Sequence, residues 1–158
     1  MRIREDYAYL DTSVKANVYN VSMARESKSS VPLEQLFRAL ADPTRLRLIN
    51  LMADQELCVC YFIEVIGAPQ PKISRHLAYL RRVGIVGARR EGKWMHYRLT
   101  VPGDSHAASI VKSTLEALRQ DKEMQRDHHR MQRACCGPKS LVQLMGAPLP
   151  SAMADQRL

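Results

Sequence analysis

Cys58 and Cys60 stand one residue apart in the stretch Glu56-Leu57-Cys58-Val59-Cys60, and Cys135 and Cys136 are adjacent near the other end of the chain. Close thiol pairs suit a soft metal or metalloid, because thiolates select such ions over hard cations. They equally suit redox chemistry, in which Cys58 or Cys60 meets Cys135 or Cys136 as a disulfide. Adjacent cysteines rarely bridge each other without strain, so Cys135 and Cys136 have separate roles. The spacing at 58 and 60 has a mechanical consequence. Each residue of a helix turns the chain by ~100°, so side chains two apart point roughly 200° apart. Both sulfurs face one ion only from a non-helical entry or from an unwound first turn, and either way coordination distorts the helix start. The bland alternative is burial as small apolar side chains, but an intact helix would bury only one of the two.

The elements that must hold these thiols are legible along the chain. Residues 1–30 lack periodicity and read as a flexible N-terminal arm. Leu33, Leu36, Phe37 and Leu40 then mark a helical stripe. Asp42-Pro43 predicts an N-cap and first turn, with Leu46, Ile49 and Met52 facing inward and Arg45 and Arg47 at polar positions. Val59, Phe62, Ile63 and Ile66 mark a third helix that ends at Gly67. A fourth opens at Gln70-Pro71, buries Ile73, Leu77 and Leu80, and is capped at Gly84. Ile85 to Arg90 and Trp94 to Leu99 predict strands joined by Glu91-Gly92-Lys93. A long helix is expected from about Asp104 to Arg133. Residues 137–158, with Gly137, Pro138, Pro148 and Pro150, read as largely disordered, so the folded unit spans 31–134, and residues 135–158 form a tail carrying the second cysteine pair.

Short helices followed by a hairpin form a mostly α winged helix-turn-helix, with Gly67 to Pro69 as the turn. The second helix of such a pair enters the major groove. Gln70, Lys72, Ser74, Arg75 and His76 are its candidate contacts to bases and phosphates, and Arg89, Arg90 and Lys93 flank the wing tip. Between Gln70 and Arg98 eight positive side chains face only Glu91, which puts +7 of the chain's +8 into one stripe. Such a concentration is the electrostatic footprint of a phosphate backbone. With no apolar run approaching ~18 residues and no signal-like N-terminus, a cytoplasmic protein with reduced thiols is expected. An enzyme is disfavoured, since the βαβ setting of a redox pair is missing.

At these residues the chain resembles the ArsR/SmtB family of winged-helix metalloregulatory repressors. Leu40-Ala41-Asp42-Pro43-Thr44-Arg45-Leu46-Arg47 is similar to the family's opening helix signature. Glu56 to Cys60 resembles its arsenic-binding box, Gln70 to Leu77 with Leu80 its recognition helix, and Gly92 to Leu99 its wing. The resemblance covers about residues 31 to 100. It implies a homodimer, paired through the N- and C-terminal helices, that binds double-stranded operator DNA and lets go when As(III) or Sb(III) is bound. It also implies Cys58 and Cys60 as ligands. Relatives with this box often carry a further cysteine where Ile63 stands here, so Cys135 and Cys136 become the reservoir for a third thiolate, from either protomer. A family zinc site is not expected: Asp104 and His106 match its first half, but Ala117 stands where the second half should begin. Cadmium, lead or bismuth sensing and thiol redox sensing on the same fold remain alternatives.

Overall fold

A computed structural model describes residues 31–136, 142 and 145–150, so the arm expected over 1–30 and much of the C-terminal tail lie outside the described residues. The elements run α1 (Leu33–Leu40), α2 (Pro43–Leu51), β1 (Leu57–Cys58), α3 (Val59–Ile66), α4 (Gln70–Val83), β2 (Val86–Glu91), β3 (Trp94–Leu99), α5 (Ser105–Leu118) and α6 (Lys122–Cys136). The mostly helical winged helix-turn-helix is therefore present, with β2 and β3 as the wing.

Local chemistry sets the boundaries. Asp42 caps α2 by accepting the Arg45 N–H at 2.9 Å, and Pro43 fills the first turn, where its missing N–H costs nothing. Arg45 reaches back across the junction, its Nε donating to the Ala39 carbonyl at 2.7 Å, so the end of α1 is tied to α2. Gly67 and Gly84 close α3 and α4 with φ of 70° and 86°, a left-handed turn that a side chain would strain.

Leu36, Leu48, Ile49, Leu51, Leu57, Tyr61, Phe62, Ile73, Leu77, Leu80 and Ile85 form a fully buried core beneath the four helices and the sheet. Burying each such side chain stabilises the fold by roughly 1.5–3 kcal/mol. The ring of Phe62 meets Tyr97 of β3 edge-on at 6.2 Å, which fixes α3 against the wing's base. Not every expected apolar position turns inward: Leu33 and Phe37 of α1 stay about half exposed.

Two expectations need correction. The long terminal helix is two helices. Asp121 accepts the N–H groups of Glu123 at 2.7 Å and Met124 at 3.1 Å, an N-cap that starts α6 afresh after the turn at Arg119 to Asp121. No glycine or proline marks the break between Leu118 and Lys122, which is why the stretch reads as one helix. The second correction is β1. It pairs antiparallel with β3 and gives the sheet the order β1-β3-β2, but two residues are too few to leave a periodic signal. Val142, within the C-terminal segment, is buried against the core.

α6 folds back on α2 and α3 of its own chain. Asp127, wholly buried, accepts from Arg47 of α2 through both oxygens, at 2.6 and 2.8 Å, and Arg130 adds a third contact at 3.3 Å. A carboxylate buried this deeply is tolerable only because it is paired bidentately. Asn50 of α2 approaches His128 Nε2 at 3.2 Å beside this pair.

Candidate functional site

Cys58 is both the last residue of β1 and the N-cap of α3, with φ −68° and ψ 148°, while Cys60 lies in the first helical turn. The chain thus changes from extended to helical between the two sulfurs. This is the non-helical entry that the spacing allowed, and it brings the Cys60 thiol to donate to Cys58 Sγ at 2.6 Å. Both cysteines are buried, where an intact helix would have buried one. No unwinding is needed to bring the sulfurs together.

The contact separates the two thiols electrostatically. Hydrogen bonding from Cys60 stabilises a Cys58 thiolate and lowers its pKa from 9.0 to about 7, against the opposing effect of burial. The same hydrogen bond, with burial, pushes the Cys60 thiol far up. Of the pair's two protons the first leaves easily, and the second, then shared by both sulfurs, is held.

Cys135 belongs to the same neighbourhood. It is fully buried at the end of α6, which packs on α3. The buried hydroxyl of Tyr61 feels it directly: burial, then the charges of Cys135, Cys60 and Cys58, push the Tyr61 pKa upward. Cys135 therefore lies close to Tyr61, which follows Cys60 on α3. The Cys136 side chain lies outside the described residues. Among the described residues, no three His, Cys, Asp or Glu side chains are already arranged around a point that could hold a metal ion. Asp104 is engaged as the N-cap of α5, accepting from Ala107 N–H at 2.8 Å.

The predicted DNA contacts divide. Gln70, Lys72 and Arg75 are exposed along α4, and Ser74 is half-buried. His76 turns toward α2, its Nδ1 3.5 Å from Asp42 Oδ1, and burial lowers its pKa below 6.5 despite that carboxylate. Arg45 and Arg82 stand 4.5 and 4.8 Å from the centre of the Tyr79 ring, and the Arg45 contact ties α4 to α2. On the wing, Arg90 Nε donates to the Gly92 carbonyl at 2.9 Å, and Lys93 Nζ stands 4.8 Å over the Trp94 ring. Arg89 is exposed, yet it pairs with Glu56 at 2.7 Å and also with Glu91. Glu56, His96 and Asp127 were not singled out by sequence reasoning. Glu56 stood within the cysteine box, but its partner lies 33 residues on.

A three-helix core with a basic recognition helix and a hairpin wing defines a winged-helix DNA-binding protein. The sequence pattern described as "Bacterial regulatory protein, arsR family" matches residues 42–87. The chain is 47% identical over 90 residues to the arsenical resistance operon repressor of Escherichia coli (strain K12), spanning 56% of this chain and 74% of that protein. It is 43% identical over 83 residues to the arsenic resistance transcriptional regulator ArsR1 of Pseudomonas putida, spanning 52% of this chain and 65% of the relative. A probable mercury resistance operon repressor of Streptomyces lividans is 42% identical over 77 residues, with 49% and 59% covered. The chain belongs to the ArsR family. Its family and fold are those of a transcriptional regulator and not of an enzyme. Among the described residues no helix is long and apolar enough to cross a membrane.

Proposed function

We propose that the protein is a homodimeric repressor that binds operator DNA through α4 and the wing and releases it when As(III) or Sb(III) is held by Cys58, Cys60 and Cys135. The observation that carries this reading is the buried thiol pair at the start of α3, with a third buried thiol on the adjacent α6. The donor set fits a thiophilic ion: three soft sulfurs in an apolar setting. When bound, such an ion supplies a demand for three thiolates at once. The three thiols would each give up a proton to a hydroxide that leaves the ion as water, and the chain would part the two sulfurs and bring Cys135 to them from α6. Tyr61 sets a buried hydroxyl beside Cys135.

The dimer is assigned to the exposed apolar face of α1, where Leu33 and Phe37 lie open, together with α5. The return of α6 onto its own chain favours α5 over α6 for that role, and favours Cys135 of the same protomer as the third ligand. Two-fold symmetry then matches a palindromic site.

Arsenic-edge X-ray absorption on the reduced, arsenite-loaded protein tests the ligand set. Three sulfur neighbours are expected, falling to two in Cys135→Ser. Three sulfurs in that variant would remove Cys135 from the site. Thiol redox sensing is the second reading, favoured by the lowered Cys58 pKa, since a thiolate reacts where a thiol does not. Peroxide-driven release without a response to arsenite would select it, and cadmium- or lead-driven release would change only the ion.

A further inference from the structure

We propose that Glu56 and Arg89 are positioning residues that transmit the state of the thiol pair to the wing. The inference rests on the reading that Cys58 and Cys60 bind a thiophilic ion. Its route runs through the sheet and leaves the body of α3 in place.

Three strands place Cys58, His96 and Arg89 in one cross-strand row. Cys58 of β1 is paired with His96 of β3, and His96 with Arg89 of β2. Directly opposed residues share a face of the sheet, and their side chains interact across it. The row is closed from above by an ion pair that spans it: Arg89 Nε donates to Glu56 Oε1 at 2.7 Å, two residues before Cys58. Beneath lies His96, only 5% exposed, with Nδ1 3.8 Å from Glu56 and Nε2 3.8 Å from Glu91. Glu56, Arg89 and Glu91 therefore form a clasp that ties the thiol-bearing strand to the wing.

The mechanics follow from which side of the thiol pair is softer. An ion held by both sulfurs needs them further apart than the 2.6 Å at which they stand. What side-chain rotation does not supply must come from α3 or from β1. α3 is anchored by the fully buried Tyr61 and Phe62 and packs on α4 and α6. β1 is two residues long and stands at the sheet edge. Leu57 and Cys58 are themselves buried, so β1 shifts within the sheet and does not open, with a two-residue ladder to β3 as its restraint there. Displacing β1 carries Glu56 with it and re-aims Arg89, and with Arg89 the strand that carries Arg90 at the wing tip. Arg89 thus aligns the DNA-contacting wing in addition to lending it charge.

The chain's single tryptophan, Trp94, stands opposite Glu91 at the wing tip and reports on this motion. Arsenite is titrated into the reduced full-length protein while Trp94 emission and arsenic–thiolate ultraviolet absorption are followed. Affinity for a duplex from the promoter upstream of its own reading frame is measured with and without saturating arsenite. In the wild type, emission and absorption should change with one midpoint, and DNA affinity should fall roughly 5–150-fold. In Glu56→Gln the absorption should persist, the Trp94 response should vanish, and the affinity ratio should shrink to about two-fold or less. The ratio corrects for any change in DNA affinity itself. Arg89→Lys, which keeps a charge but loses the forked donor, guards against misfolding of the first variant and should fall between them. A wild-type ratio and Trp94 response in both variants overturns the clasp and leaves the thiol site standing. No absorption and no release in the wild type overturns the thiophilic-ion reading, and the clasp with it.

Discussion

The Cys60 thiol donates to the Cys58 sulfur at 2.6 Å across the point where β1 becomes α3. One thiolate of the pair is therefore expected to appear with a midpoint near pH 7, while the second stays protonated well above the ordinary thiol range. Thiolate absorption of the reduced protein measures this. Cys60→Ala removes the donor and leaves only burial acting on Cys58, so its midpoint should move up beyond pH 9. An unmoved midpoint would show that the thiols do not share a proton. The two shifts run in opposite directions, so the pair gives stability no single sign of pH dependence.

Asp127 is the anchor of α6 on α2. Asp127→Ala leaves Arg47 largely buried without its bidentate partner, and breaking such a pair costs ~3–5 kcal/mol. Urea unfolding reads the loss. It should also weaken arsenite binding more than promoter binding, because α6 carries Cys135 while α4 does not depend on α6. A cost below about 1 kcal/mol would mean that the pair behaves like a surface ion pair.

The two kinds of polar residue on α4 should separate in salt titrations. Lys72→Ala and Arg75→Ala should each weaken DNA binding and reduce the salt slope by about 1 for every phosphate left without its cation. His76 has its pKa lowered by burial, so it is neutral at pH 7 and releases no counterion there. His76→Ala should leave the slope unchanged at pH 7. A slope reduced as much as for Arg75→Ala would place His76 on a phosphate.

Phe37→Glu puts a charge on the exposed apolar face of α1. The account expects the dimer to dissociate, read by sedimentation, and DNA affinity to fall with it. A dimer of unchanged strength would move the interface elsewhere.

Most of the framework was written in short-range chemistry. The Asp42 cap, Gly67, Gly84 and the Gln70-Pro71 start are local signals, and each element they bound lies where they put it. The cysteine spacing likewise announced that a regular helix would not serve. What stayed hidden was long-range or very short. β1 exists because two residues find β3 across some 38 positions, and the Glu56–Arg89 clasp follows from that pairing. Asp121 is a cap signal, but no glycine or proline beside it announces the end of α5. The return of α6 depends on Asp127, whose run of charged neighbours reads as a solvated face until Arg47 is brought to it.

The central claim is that thiols of one protomer gate DNA release. Fluorescence anisotropy on promoter DNA under reducing conditions, with arsenite titrated into wild type, Cys58→Ser, Cys135→Ser and Cys136→Ser, tests it most directly. The account predicts release from the wild type and from Cys136→Ser, none from Cys58→Ser, and a strongly weakened response in Cys135→Ser. Full arsenite-driven release from Cys58→Ser would contradict it.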